Sequence, residues 1–211
     1  MNIKTVLFDL DGTLIDTNEL INESFRHTFN KYKFEFTDSE IRNFNGPPLR
    51  DTFNQLNQDL AEEMIQTYRK HNLANHEAYV KVFPNVEKTI QSLLNKDIEI
   101  GIVSAKMRQG VELGLEVTGL AKYFETIITI DDVNNPKPHP EPVRLAMNEL
   151  KAKPASTIMV GDNFHDIQSG RDAGAQTAGV AWSTKGKVYL QRYNPTYMLE
   201  DMSDLIKIIG V

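Results

Sequence analysis

From about Val82 onward, short apolar runs alternate with segments whose apolar residues recur at helical spacing. Such alternation is typical of the strands and helices of a parallel, doubly wound sheet. An earlier run, Val6–Phe8, is short and nearly continuous, as buried strands of parallel sheets are. The sequence therefore predicts an α/β fold with a doubly wound parallel sheet. The later predicted strands are Ile98–Val103, Thr126–Ile130, Thr157–Val160 and Thr177–Trp182.

Residues 15–81 differ from the rest, because their apolar positions follow helical spacing and no convincing strand appears. We therefore expect a discontinuous core domain of residues 1–14 and 82–211, interrupted after its first strand by a helical domain of residues 15–81. Within this insert, Thr37 and Glu40 have the spacing of a capping box, which predicts a helix start. The run Asn45–Pro48 breaks the helical pattern and predicts a loop.

Composition narrows the class of protein. The 211 residues carry 23 Lys and Arg against 29 Asp and Glu, a net charge of −6 without a basic block, so we expect neither a nucleic-acid nor a membrane partner. The absence of Cys excludes disulfides and a Cys nucleophile. No apolar stretch reaches the roughly 18 residues of a membrane span. We expect a cytoplasmic protein, and the sequence carries no signal for an oligomeric state.

Two aspartates follow the first predicted strand, in the run Asp9-Leu10-Asp11-Gly12-Thr13. Open α/β sheets bind ligands at the carboxyl ends of their strands, and side chains two apart share a face, so Asp9 and Asp11 can converge on one ligand. Like charges so close require a cation, and Mg²⁺ combines a few carboxylates with waters and phosphate oxygens. The alternative is a strand-end turn with solvated aspartates.

Other predicted strands also end on polar residues, namely Ser104, Asp131 and Asp162, and Lys137 lies in a proline-rich loop after the third core strand. In a parallel sheet these ends meet at one edge. Considered alone, Ser104 is typical of a turn, and Lys137 is typical of a solvent-exposed charge. Asp166 either joins a second acidic pair with Asp162 or serves as the N-cap of the following helix.

In order and spacing, these residues resemble the motifs of the haloacid-dehalogenase-like phosphohydrolases. The matching motifs are DxDGT at 9–13, a strand-end Ser at 104, Lys137-Pro138-His139-Pro140, and GDNxxD at 161–166. The resemblance covers the whole chain. It implies a Rossmann-like core, an inserted helical cap, and Mg²⁺-dependent phosphoryl transfer through an aspartyl phosphate.

Carried over motif by motif, the resemblance also implies roles for single residues. Asp9 would be the nucleophile and Asp11 the general acid and base. Asp9, Asp11 and Asp162 would hold the metal, with Asp166 supporting it through water. The phosphate would be held by Ser104 and Lys137. Asp131 lies outside the motifs, and we expect it to be structural.

Within this family, Val6–Ile21, Asn45–Phe53 and Trp182–Gly186 together resemble the bacterial inorganic pyrophosphatases of the phosphoglycolate-phosphatase-like branch. Because the leaving group of pyrophosphate is itself a phosphate, additional cations are expected at the site. The candidates are Arg50, Lys106 and Lys185, and each also reads as an ordinary surface charge.

Three alternatives stay open at this point. The same machinery serves phosphatases of phosphoglycolate or sugar phosphates, and it serves phosphomutases. A third alternative is a non-enzymatic phospho-acceptor module, although this leaves Asp11 and the helical insert unexplained. His71, His76 and His165 lack metal-ligand spacing and are expected at the surface or in loops, and Trp182 is expected to end a strand and pack in the core.

Overall fold

A computed structural model describes residues 3–210 of the chain. Its strands β1 to β8 span Thr5–Phe8, Ile15–Asp16, Lys81–Val82, Glu99–Val103, Thr126–Ile128, Thr157–Gly161, Gln176–Val180 and Tyr197–Leu199. Six of them form one sheet in the order β5-β4-β1-β6-β7-β8, and every neighbouring pair is parallel. The short strands β2 and β3 form a separate antiparallel pair. The predicted parallel α/β fold is confirmed.

Helices α1 to α11 connect these strands. They span Asn18–Tyr32, Asp38–Asn43, Leu49–Leu56, Ala61–Ala74, His76–Tyr79, Val86–Leu94, Arg108–Val117, Glu141–Glu149, Phe164–Asp172, Lys187–Gln191 and Asp204–Ile209. Among the residues that the structure describes, no helix has the length and apolar character that crossing a bilayer requires.

The chain divides into two compact units, one built from residues up to Asp16 and from Lys81 onward, the other from Thr17–Val80. The first unit contains the six-stranded sheet. Helices α8 and α9 pack against its strands around a buried apolar cluster. This cluster includes Leu7 of β1, Val103 of β4, Ile128 of β5, Met147 of α8 and Met159 of β6. The central strands are therefore fixed by apolar side chains, and their carboxyl ends are left for polar residues.

The second unit consists of helices α1 to α5 around an aromatic core. The ring of Phe25 contacts Phe29, Phe53 and Tyr68, with centroids 5.6, 5.8 and 4.7 Å apart. The predicted capping box at the start of α2 is confirmed, because the Glu40 N–H donates to Thr37 Oγ1 and the Thr37 N–H donates to Glu40. The predicted loop before α3 is also present.

Several local predictions were wrong. Strand β5 ends at Ile128, because Thr129 and Asp132 form a capping box that starts a short 3₁₀ helix. Strand β7 ends at Val180, so Trp182 is half-buried beyond the strand and not part of it. His76 is buried, and its Nδ1 lies 2.8 Å from the Asn72 carbonyl oxygen one helical turn earlier.

Candidate active site

Three polar residues lie directly after the carboxyl ends of adjacent strands. Asp9 follows β1, Ser104 follows β4 and Asp162 follows β6. The pairing continues one residue past each of two strands, since the Asp9 N–H donates to Val160 O at 2.8 Å and the Ser104 N–H donates to Ile128 O at 2.8 Å. The sheet thus fixes the backbone of Asp9 and Ser104, which limits where their side chains can lie.

Lys137 lies in the loop before α8 and is almost completely buried, with 4% of its surface exposed. Its ammonium donates to Asp9 Oδ1 at 2.7 Å, to Asp166 Oδ1 at 2.6 Å and to the Val103 carbonyl oxygen at 2.8 Å. An ammonium has three donors, so all of them are used. The structure therefore brings Lys137 into direct contact with two of the predicted site residues.

Asp9, Asp162 and Asp166 form a compact carboxylate cluster, in which one oxygen of each lies within 4.8 Å of the others. Two glycines make room for it. A Cβ on Gly161 would lie 2.2 Å from Asp166 Cβ, and a Cβ on Gly12, whose φ is +81°, would lie 2.5 Å from Asp162 Oδ2. Glycine is needed at both positions because any side chain would displace the acids.

Asp11 is not one of the three side chains of this carboxylate cluster, and its role as a metal ligand stays a prediction. Its Oδ1 accepts a hydrogen bond of 3.0 Å from the Lys106 ammonium. Lys106 is held from several sides, because its N–H donates to Ser104 Oγ at 3.2 Å and its carbon chain occupies the space that a Cβ on Gly110 would need. The side chain of Asp11 is thus engaged by Lys106 and is not one of the three clustered acids.

Arg50, another of the three predicted substrate-binding cations, belongs to the second unit and lies in the first turn of α3. Its side chain is exposed and forms a 3.0 Å ion pair with Glu62. Asp131 accepts a hydrogen bond from the Arg108 N–H at the start of α7, as a structural residue does.

Comparison with known proteins identifies the family. The model of the haloacid dehalogenase-like hydrolases matches residues 6–180. The chain belongs to this family. The chain is also 55% identical to Pyrophosphatase PpaX of Oceanobacillus iheyensis, over 100% of this chain and 98% of the relative. It is 52% identical to Pyrophosphatase PpaX of Anoxybacillus flavithermus, over 100% and 99%.

Solved structures agree with this assignment of the haloacid dehalogenase-like hydrolase fold. A haloacid dehalogenase-like family hydrolase from Streptococcus pneumoniae superposes with a TM-score of 0.86 at 25% identity, covering 98% of each chain. A protein described as a predicted phosphatase from Clostridium acetobutylicum superposes with a TM-score of 0.89 at 27% identity, covering 100% of each chain. The similarity extends over the helical unit as well as the sheet.

Two acids in the carboxylate cluster of this hydrolase have raised pKa values. Burial, together with the charges of Asp166 and Asp11, raises the pKa of Asp9 to about 7, against the opposing effect of Lys137. Burial and the charges of Asp9 and Asp166 also raise the pKa of Asp162. Burial alone would lower the pKa of Lys137, but the charges of Asp166 and Asp9 outweigh this and raise it. Lys137 therefore stays protonated, while Asp9 and Asp162 are charged only at an energetic cost.

The energetic cost of ionising these carboxylates indicates which kind of ligand the cluster can bind. The single ammonium of Lys137 contacts Asp9 and Asp166 but not Asp162, so the three carboxylates, when ionised, leave the cluster with a net negative charge. Oxygen ligands at short mutual distance suit a hard cation. A bound metal ion would lower the cost of ionising Asp9 and Asp162, so the residues present fit the metal that the family typically uses.

Two features of the site were not predicted. Asp166 is not the N-cap of α9, because Asn163 occupies that position and Asp166, three residues later, accepts the Asn163 N–H at 3.0 Å. Ser183 Oγ donates to the Asp162 carbonyl oxygen at 2.7 Å and so anchors the loop after β7 to the site. A short polar residue after a strand is a weak signal, and the spacing of Ser183 from Asp162 shows no pattern.

Proposed function

We propose that this protein is a Mg²⁺-dependent phosphohydrolase that acts through an aspartyl phosphate on Asp9, and that its substrate is inorganic pyrophosphate. The carboxylate cluster beside Lys137 carries the mechanistic part of the proposal. The full-length relatives named pyrophosphatase, at 55% and 52% identity, support the substrate. The first unit would be the catalytic core and the helical second unit the cap.

The contacts of Asp9 suit a nucleophile. A carboxylate that attacks phosphorus splits hydrolysis into phosphoryl transfer and hydrolysis of the acyl phosphate. Lys137 holds Asp9 Oδ1 at 2.7 Å, which orients the carboxylate and leaves Oδ2 available for attack. The same ammonium would offset negative charge on the transferring phosphoryl group.

Asp11 and Ser104 complete the set. Asp11 lies two residues from the nucleophile and outside the carboxylate cluster, so it can protonate the leaving oxygen and later remove a proton from the attacking water. Ser104 Oγ, which accepts the Lys106 N–H, also carries a proton that it can donate to a phosphoryl oxygen.

Asp9 and Asp162 would hold the Mg²⁺ ion, and Asp166 would support it through water. When bound, the ion would neutralise phosphoryl oxygens and the crowded acids. Activity should be lost in excess EDTA, and Ca²⁺ should replace Mg²⁺ poorly because it favours more ligands and looser geometry. Full turnover in EDTA would contradict the metal requirement.

The decisive experiment compares phosphate release from pyrophosphate, phosphoglycolate and sugar phosphates with Mg²⁺. We expect the highest kcat/KM with pyrophosphate, and a higher value with phosphoglycolate would replace this substrate. Asp9→Asn should abolish turnover, whereas Asp11→Asn should slow it by roughly 10²-fold or more. Asp59→Asn, at an exposed position of the second unit, is the matched control and should retain activity. Wild-type turnover by Asp9→Asn would exclude the covalent mechanism.

A further inference from the structure

The first unit has three lysines close to its candidate site, and they differ in their partners. Lys137 donates to two carboxylates and a carbonyl oxygen, and Lys106 donates to Asp11. The ammonium of Lys185, by contrast, forms no ion pair with any carboxylate among residues 3–210. Its recorded contact is with the face of the Tyr189 ring, 5.5 Å from the centroid. Lys185 is therefore the lysine whose charge is still available to an anion.

Lys185 is not on a loosely attached loop. Ser183 Oγ donates to the carbonyl oxygen of Asp162 at 2.7 Å, and the Lys185 N–H donates to the same Ser183 Oγ at 3.2 Å. The Gly186 N–H closes the turn by donating to Ser183 O at 2.9 Å, and the φ of Gly186 is +83°. Two hydrogen bonds thus connect Lys185 to the backbone of a proposed metal ligand.

The surroundings of Lys185 also favour an anionic partner. Its side chain is partly buried, and burial lowers its pKa, while the charges of Asp162 and Asp166 act in the opposite direction. An ammonium removed from water without an acceptor is costly, and a ligand oxygen would relieve that cost. Neighbouring Lys187 differs, because its ammonium already forms an ion pair with Glu200.

We propose that Lys185 binds the leaving group of the substrate and selects substrates in which that group is an anion, as the second phosphate of pyrophosphate is. This inference rests on the proposed function and deepens it. Asp9 and Lys137 would act on the phosphoryl group that is transferred, and Lys185 would hold the phosphate that departs. Specificity would then depend partly on the loop after β7.

The test compares pyrophosphate with para-nitrophenyl phosphate, whose leaving group is an aromatic ring that carries no negative charge in the intact substrate. Lys185→Gln should lower kcat/KM for pyrophosphate by about 10- to 100-fold, the size expected for loss of one charge-assisted contact, and change it for para-nitrophenyl phosphate by no more than about 2-fold. Lys185→Arg should restore most of the loss. Lys187→Gln is the matched control and should leave both values unchanged. Equal losses on both substrates, or no loss on either, would overturn the inference.

Ligand binding gives a readout that does not depend on turnover. Lys185→Gln should weaken binding of methylenediphosphonate by about 10-fold or more, and leave binding of methylphosphonate unchanged, because only the first has a second anionic group. Equal binding of methylenediphosphonate by both proteins would contradict the inference even if the variant loses activity. If the unmutated protein hydrolyses phosphoglycolate but not pyrophosphate, the proposed substrate fails, and the same comparison with phosphoglycolate still tests Lys185.

Discussion

Both units have apolar cores, but the first unit also buries charged side chains at its candidate site. In the first unit, Lys137, Asp166 and Asp9 are buried at 4%, 2% and 7% exposure, although a buried charge is costly unless it is paired. In the second unit, aromatic rings such as Phe25 and Phe53 fill the core, while the Arg50 side chain lies at the surface. Burial of apolar rings stabilises a fold without a comparable cost.

We therefore associate the charged cluster of the first unit with chemistry and the aromatic core of the second unit with stability. The first unit maintains a buried charged cluster beside its apolar core, whereas the core cluster of the second unit consists of aromatic and aliphatic side chains. Substitutions in the charged cluster should therefore act through charge, and those in the aromatic core through lost volume. The predictions below test this difference, starting with the largest expected effect.

Removing the buried ammonium should have the largest effect. Lys137→Met leaves Asp9 and Asp166 facing each other without a cation, and loss of one partner of a buried ion pair typically costs about 3–5 kcal/mol in the free energy of unfolding. Phosphate release should also fall by about 10²-fold or more. Denaturation curves and turnover measure the two effects. Lys31→Met, which removes an exposed lysine of the second unit, should change stability by about 0.5 kcal/mol or less. Equal effects of Lys137→Met and Lys31→Met would contradict the expected difference between a buried and an exposed lysine.

Truncation of an aromatic ring should damage the second unit through volume. Phe25 contacts four other rings, so Phe25→Ala should lower the free energy of unfolding by about 3–5 kcal/mol. Hydrogen exchange measured by mass spectrometry should show faster exchange in α1 and α4 and unchanged protection in β1 and β6. Val188→Ala is the control, because Val188 is 68% exposed. If β1 and β6 lose protection equally, the two units unfold together.

The parts of the fold that follow from local pattern were predictable. Apolar runs such as Thr157–Val160 read directly as buried strands, and Thr37 with Glu40 marked a helix start through backbone chemistry alone. Strand β8 was not predicted, because its three residues have too little pattern and depend on pairing with β7. His76 was misjudged since its burial is decided by tertiary packing and not by its neighbours in sequence.

For the candidate site, the sequence indicated which residues meet but not how they pair. Asp9 and Lys137 were expected at one sheet edge, and the structure has them in contact. That Asp11 would be engaged by Lys106 could not be predicted, because the contact depends on the space left by Gly110. Residue roles, including that of Arg50, stay predictions.

A role for Arg50 in substrate binding would contradict the difference between the two units, because it would place a specificity residue in the helical unit. If its guanidinium binds the distal phosphate, Arg50→Ala should raise KM for pyrophosphate by about 10-fold and leave KM for para-nitrophenyl phosphate nearly unchanged. Arg42→Ala, at another exposed arginine of the same unit, is the control. Glu62→Gln should not raise KM, since it only removes the competing ion pair. Equal changes on both substrates would make Arg50 structural.

The smallest expected effect is a pH dependence confined to the second unit. His71 of α4 stacks on His27 of α1 with ring centroids 4.5 Å apart, and burial, followed by the charge of His27, lowers the pKa of His71. An unfolded histidine has a pKa of about 6.5, so below that pH the unfolded chain binds more protons than the folded one, and stability should fall as the pH decreases. Because His71 is partly exposed, solvent screening should keep the loss below about 1 kcal/mol. Urea denaturation between pH 7 and 5 measures how the free energy of unfolding changes with pH, and this change should be smaller for His71→Gln than for the unmutated protein. His139→Gln, at an exposed histidine, is the control. An unchanged pH dependence in His71→Gln would rule out His71 as the titrating group.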